Sequence, residues 1–392
     1  MVVPTYWGPT QTIDSTECKI FDHPAVLNSQ STLHSLLNSL EILKDRDFCL
    51  VIIIVSTLSE IEKECKEQIV EIIFPYLAKY EIKIFDANSL KRLKAHLLKS
   101  NISKEACDFI NLNNYPSVRN ICSLAGILNG SETTIFIDDD EVFNDPDFLH
   151  KARDFIGKDI KGEKIHAVAG YYMHQDGGYK IDEKNVPKWR KTYWNNVAAM
   201  NQAFHITIGK PPRLKPTSFV FGGNMVLGKD ALIKVPFDPM ITRGEDIDFL
   251  INLRISCIKF WLDSELYIKH VPPISSTPFW KSVREDLRRF LYERKKIVDH
   301  GNVSGISQKD LMPYPGMFLG PDLEERIIKT NQLLFAEYKN SGDLTGMREC
   351  KKNIEIVWNN EFADFNTVDW LKKITAHWQE ISKTAFGKGL DW

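Results

Sequence analysis

What the chain lacks narrows it first. Its seven cysteines, Cys18, Cys49, Cys65, Cys107, Cys122, Cys257 and Cys350, are odd in number and never closer than fifteen positions. That spacing excludes a CxxC metal site and a disulfide framework and fits a reducing cytoplasm. The longest strongly apolar run, residues 48–55, falls far short of the roughly 20 residues a transmembrane helix needs. The N-terminal residues lack the basic and apolar segments of a signal peptide. A soluble, cytoplasmic protein is the expectation, with peripheral attachment to a membrane left open. There is no excess charge of either sign, since 50 basic residues face 52 acidic ones, so no global field draws in nucleic acid. No internal repeat is present either, and binding energy must come from a local site.

What is there is a succession of strand and helix signals. Residues 48–55 form a continuous β-branched run, followed by helical apolar spacing over 60–80 that Pro75 is expected to kink. Residues 82–85 read as a second short strand. Residues 117–128 read as a helix leading through Asn129-Gly130 into another strand. Strands are also expected over 165–171, 218–227, 258–262 and 266–268, and a helix over 246–255. Alternating strands and helices argue for a parallel, doubly wound α/β sheet. From about residue 277 the pattern turns to long charged helices (282–300, 323–338 and 368–382), with a loop over 301–321. The first 45 residues are expected to hold a helix over 31–43 preceded by an extra edge strand or arm. Three regions follow: an N-terminal extension (1–45), an α/β domain (46–275) and a helical C-terminal region (276–392).

The most informative junction lies at Thr133-Thr134-Ile135-Phe136-Ile137-Asp138-Asp139-Asp140-Glu141, where an apolar run ends in four carboxylates. Adjacent carboxylates repel one another, and a divalent cation is the obvious compensation. The position is the carboxyl end of a strand, where open α/β sheets bind ligands. Side chains alternate along a strand, so Asp138 and Asp140 are expected on one side, able to address one metal or a metal-bound phosphate, with Asp139 facing elsewhere. Hard oxygen ligands favour Mg²⁺ or Mn²⁺. An acidic loop capping the next helix is the plainer alternative.

A second acidic group, Gly244-Glu245-Asp246-Ile247-Asp248, opens a helix. Capping alone accounts for one or two of these carboxylates. Gly244 points further, to close backbone approach, with Asp246 as a general base on an acceptor hydroxyl. Base and cap remain equal readings on residue type. His270, at a strand end in a chain already needing a metal, is a candidate ligand. Gly222, Gly223 and Asn224 interrupt a strand, either for close approach of a ligand or as a bulge. Arg119, at a helix start, is placed to reach a phosphate, with solvation as the alternative. The segment 188–194, rich in Trp and basic residues, either stacks on a sugar or packs half-buried; it is too short and isolated to bind nucleic acid.

In order and approximate spacing, residues 48–57, 117–128, 135–140, 221–227, 244–250 and His270 resemble the GT-A glycosyltransferases. Asp138-Asp139-Asp140 looks like their DxD motif, and Gly244-Glu245-Asp246 looks like the ED motif of family-2-like members. The resemblance implies a GT-A fold, a Rossmann-like mixed sheet, with a mostly helical C-terminal extension. It also implies a nucleotide-sugar donor (a UDP- or GDP-sugar) whose diphosphate is bridged by Mn²⁺ or Mg²⁺, and a sugar, glycan or small hydroxylated acceptor. The implied metal ligands are Asp140, Asp138 and His270, with Asp138 on ribose or metal. The implied donor contacts are Ser56, Thr57, Arg119, Asp138, Asp139, Gly222, Gly223 and Asn224. Asp246, beside Glu245, is similar to the base of inverting members; retaining members share the DxD motif and a late His, which keeps both stereochemical outcomes open. A nucleotidyltransferase lacks support, because no glycine-rich basic loop follows Val55. A non-catalytic nucleotide-sugar-binding protein would have no need of Asp246. The helical tail is a candidate surface for self-association.

Overall fold

The computed structural model describes residues 1–10, 19, 21–22, 24–29, 31–160, 162–184, 186–273 and 277–389; Cys18 and much of the expected N-terminal arm lie outside them. One large mixed sheet runs in the order Leu214–Pro216, Phe260–His270, Ala167–Met173, Met225–Gly228, Thr133–Phe136, Val2–Gly8, Cys49–Ser56, Glu81–Phe85.

The apolar run of Cys49–Ser56 shows why such a sheet is built. Its side chains alternate between the two faces: Val51, Ile53 and Val55 enter one hydrophobic cluster, while Leu50, Ile52 and Ile54 enter another. Helices cover both faces, so residues 50–55 are apolar without a break and the period-2 signal disappears. Thr133–Phe136 and the residue after it divide in the same way, with Phe136 on one face and Ile135 and Ile137 on the other.

Two expectations are corrected. The sheet is mixed, as the family resemblance implies, and not parallel throughout as the alternation of strands and helices suggests: Met225–Gly228 pairs antiparallel with both Thr133–Phe136 and Ala167–Met173. Nor is Val2–Gly8, within the expected N-terminal extension, an edge strand or arm. Val2–Gly8 is an interior strand, parallel to both Cys49–Ser56 and Thr133–Phe136. Pro4 conceals it, because proline is rare in central strands. The ladder explains the tolerance. Val2 C=O accepts from Ile137 N–H, whereas the carbonyls of Met1 and Trp7 accept on the opposite side from Val51 and Thr57. Backbone groups alternate sides, so Pro4 faces the same way as Val2 but beyond the last pair, Val2↔Phe136, where no ladder bond is lost.

Other differences are smaller. The strand expected over 218–227 shrinks to Met225–Gly228, the two expected over 258–268 merge into Phe260–His270 with a register shift between Leu262 and Tyr267, and the helices Ala87–Lys99 and Leu344–Asn359 are additions. The kink at Pro75 is a 3₁₀ turn, Phe74–Tyr76, after Glu62–Ile73.

The helical tail packs onto the sheet, and its Leu287, Phe290 and Trp378 belong to the same cluster as Phe136 and Val51. The tightest tie is polar. Lys296, fully buried on Phe279–Ser304, donates to Asp238 (3.0 Å), Asp248 (2.6 Å) and Asn252 (2.9 Å). Asp238 also accepts from Tyr292 and from Trp370 of Thr367–Ala385. The helix Glu245–Ile255 is thereby locked to the tail helix Phe279–Ser304, and Asp238 ties that same lysine to Thr367–Ala385. Replacing Lys296 with Met strands two buried carboxylates, so Lys296→Met is expected to destabilise the fold by about 3–5 kcal/mol. Urea unfolding of variant and parent measures it, and a loss below about 1 kcal/mol would show the triad to be dispensable.

Candidate active site

The chain turns sharply after the strand Thr133–Phe136, and that turn assembles the site. Asp138 C=O accepts from Glu141 N–H (3.3 Å), and Glu141–Val142 then pairs antiparallel with the end of Phe260–His270 in the register His270↔Glu141. Val271 N–H bonds to Asp140 C=O (2.8 Å), and His270 Nε2 lies 3.3 Å from Asp140 Oδ2. A two-residue bridge thus joins positions 130 apart in sequence. Tyr172 stacks on the His270 ring, with centroids 4.6 Å apart, and its hydroxyl accepts from Gly223 N–H (2.8 Å).

Arg119 connects the two acidic groups. It sits on the first turns of Tyr115–Leu128, a helix opened by an Asn114 cap and Pro116. Its Nη1 and Nη2 donate to both oxygens of Asp138 (2.7 and 3.0 Å), and its Nε donates to Glu245 (3.1 Å). Burial alone would lower the Arg119 pKa, but Asp138 and Glu245 hold it well above its ordinary value.

A cleft of about 540 Å³ opens here, lined by Arg119, Asp138, Asp140, Gly222, Glu245, Asp246 and His270, all expected from sequence. Other expected residues lie elsewhere. Asp139 turns away, as alternation requires, and accepts from Thr5 Oγ1 (2.6 Å); burial pushes it up to about 7. Ser56 is buried and opens on a separate small cavity beside Asp86 and Lys66. Thr57 is buried, with its backbone tied to Trp7 and Lys19. Asn224 spends its amide on Tyr171 and Leu266 carbonyls, bracing the interruption in the sheet. Segment 188–194 does not line the cleft; it docks the tail, with Trp194 packed on Phe290 and Phe318 and Arg190 over the Phe279 ring.

Asp246, next to the Glu245 that Arg119 holds, is half-buried in the cleft wall. Burial, then the neighbouring Glu245 charge, pushes its carboxyl up to about 7. Gly244 explains itself: φ is +74°, and a Cβ there would meet Arg289 Nη1 at 2.2 Å.

Several residues in or directly behind the cleft carry no motif. Glu141, the fourth carboxylate of the acidic run, is fully buried beneath Gly223, bonds Asp138 N–H (3.1 Å), and is pushed well up by burial and then by Asp138. Ser282, Asp286 and Arg289 come from a tail helix whose charged sequence looks solvated throughout. Arg243 spans the mouth, paired with Glu285 (2.7 Å) and Asp22 (3.5 Å).

Asp140 and His270 offer one hard oxygen and one imidazole nitrogen to the cleft, a donor set that fits Mg²⁺ or Mn²⁺ completed by water or substrate phosphate. Asp138 is engaged by Arg119 at both oxygens, and among the described residues no three His, Cys, Asp or Glu side chains are grouped to hold a metal by themselves.

No protein-family model matches the chain, and comparison with curated proteins finds no match. Among solved structures the chain is similar in outline to a mannosyltransferase from Pyrobaculum calidifontis in complex with GDP-Man and Mn²⁺, at 10% identity over 97% of this chain and 86% of that one, TM-score 0.43. It is similar also to S. aureus TarS 1-349 in complex with UDP, at 13% identity over 93% of each chain, TM-score 0.36. A third is mouse xyloside xylosyltransferase 1, at 16% identity over 64% of this chain and 75% of that one, TM-score 0.29. Likeness at this level carries no functional weight, and function has to be argued from this chain's own residues.

Gly223 is where packing at the site is tightest. A Cβ there would meet Glu141 Oε1 at 2.1 Å and Asp138 Oδ2 at 2.7 Å. Gly223→Ala is expected to cost about 1–3 kcal/mol, read as a fall in the urea midpoint. Gly301→Ala, whose Cβ would meet only Ile306 O at 3.4 Å, should be neutral or stabilising.

Proposed function

We propose that this protein is a metal-dependent glycosyltransferase that moves a sugar from a nucleoside-diphosphate sugar to an acceptor hydroxyl with inversion. The observation that carries the reading is a single cleft that holds Asp140 and His270 in contact, Asp138 and Glu245 on one arginine, and a raised carboxyl at Asp246. Asp140 and His270 would be the protein ligands of Mn²⁺ or Mg²⁺. A divalent ion held there supplies neutralisation of charge on a departing nucleoside diphosphate. Asp138 acts through Arg119, keeping the guanidinium fixed at the edge of the donor side. The close approach of Gly222 to Arg119, where a Cβ would come within 2.7 Å of Nη2, leaves the cleft wall bare for the donor.

Asp246 would take the proton from the acceptor hydroxyl as that oxygen attacks the anomeric carbon and the bond to the diphosphate breaks. A base with a pKa near the working pH balances the fraction ionised against proton affinity, and burial beside Glu245 gives Asp246 that value. Only the ionised form can act, so turnover should rise with pH through about 7 and level off above it. Stability runs the other way. The carboxyl is raised on folding from an unfolded value of about 3.9, so its contribution is full below that value and is lost as pH rises through about 7.

Three measurements test the reading. A thermal-shift panel of UDP, GDP and their sugars with Mn²⁺ should give stabilisation of about 2.7 kcal/mol at a hundredfold excess over the dissociation constant for one nucleotide class; silence across the panel would remove the donor. Asp140→Ala with His270→Ala should abolish the Mn²⁺ dependence of that shift. Asp246→Asn should retain the shift and lower kcat about 10²–10⁴-fold; near-normal turnover in this variant would exclude it as the base and favour retention.

A further inference from the structure

The tail helix Phe279–Ser304 turns one face to the cleft, placing Ser282, Asp286 and Arg289 at successive four- and three-residue steps. Arg289 is buried and anchored, donating through Nη2 to Asp286 (2.9 Å) and to the Tyr314 hydroxyl (2.6 Å). Asp286 is therefore held in place, with 19% of its side chain still open to the cleft. Its remaining contact is a long one, from Asn196 Nδ2 at 3.5 Å. A carboxylate offers about four acceptor positions, and these contacts leave part of that capacity free. Asn196 and Ser282 add an amide and a hydroxyl to the same cleft.

The cleft is also lined by half-buried Phe221 and Met200. Phe221 packs on Tyr172 at 4.7 Å, which in turn stacks on His270, so its ring is braced from the donor side. A fixed carboxylate, an amide and a hydroxyl, together with a braced aromatic ring, match a ligand with hydroxyls at its edge and C–H groups on its face. A lipid tail placed here would desolvate the Ser282 hydroxyl and the acceptor positions of Asp286 left open by Arg289 and Asn196, at a cost that selects against it.

Resting on the glycosyltransferase reading of the cleft, we propose that the acceptor is a carbohydrate, and that Asp286, with Asn196 and Ser282, reads its hydroxyls from the helical tail. Asp286 is a specificity-determining residue, separate from Asp246, which meets the reacting oxygen.

Saturation-transfer NMR on the full chain tests this, using the methyl glycosides of glucose, galactose, mannose and N-acetylglucosamine, with Mn²⁺ and either UDP or GDP present. At least one glycoside should bind. Asp286→Asn should weaken it about tenfold or more, since a site built around hydroxyl recognition is sensitive to losing one acceptor. Ser282→Phe, which fills the subsite without disturbing the Arg289 pair, should abolish binding while the thermal shift with nucleotide and Mn²⁺ persists. Failure of all four glycosides to bind the parent protein, or equal binding in parent and both variants, overturns the proposal. Failure of the glycosyltransferase reading shows separately, as the absence of any nucleotide and Mn²⁺ shift in the parent, whatever the glycosides do.

Discussion

One guanidinium sets the geometry on which the site depends. Arg119 is almost wholly buried and spends three nitrogens on Asp138 and Glu245. Those carboxylates come from the end of the Thr133–Phe136 strand and the start of the Glu245–Ile255 helix. Without a fixed cation between them, two buried negative ends would repel, and removing one member of such a set leaves an uncompensated charge at a cost of roughly 3–5 kcal/mol. The same arginine brings Asp246 to the cleft, because Asp246 follows Glu245 on the first turn of the helix. Both acidic groups of the cleft are thus placed by one buried cation.

The helix bearing Asp246 is held at a second point by Lys296, nearly five turns into its own tail helix. Asp248 and Asn252 lie one turn apart and both meet Lys296. With Arg119 at the first turn and Lys296 on the buried face, the helix has little freedom to slide or rotate. The tail is therefore part of the structure that aims the site, and its contribution of Ser282, Asp286 and Arg289 to the cleft wall follows from the same docking.

Legibility in the sequence followed the physical signal available. Asp138, Asp140, Arg119, Gly222, Glu245, Asp246 and His270, read from charge or glycine at strand and helix ends with a plainer structural alternative beside each, do line one cleft, whereas the close approach read at Gly244 is to Arg289. The strand Val2–Gly8 was hidden by Pro4, whose tolerance depends on where a neighbouring ladder ends, a tertiary fact. The antiparallel Met225–Gly228 was hidden because order along the chain does not encode direction within a sheet. Asp286 and Arg289 were hidden for another reason: a charged residue on a long helix looks solvated until the surface facing it is known. Segment 188–194 shows the converse: its aromatic and basic residues read equally as sugar stacking or half-buried packing, and the packing reading holds, because they dock the tail.

The four consecutive carboxylates that a packed core would not accept are each neutralised differently. Asp138 is paired with Arg119. Asp139 is turned inward onto Thr5 and pushed up to about 7 by burial. Glu141 is sealed beneath Gly223, raised well above the ordinary carboxylate range and braced against the Asp138 backbone. Only Asp140 faces the cleft with a histidine as its neighbour. Alternation along a strand therefore gives the right separation of Asp138 and Asp140 from Asp139 but assigns too many of them to one cation. Repulsion within the run is relieved mainly by the protein itself, which leaves Asp140, beside His270, as the carboxylate least compensated from within the chain.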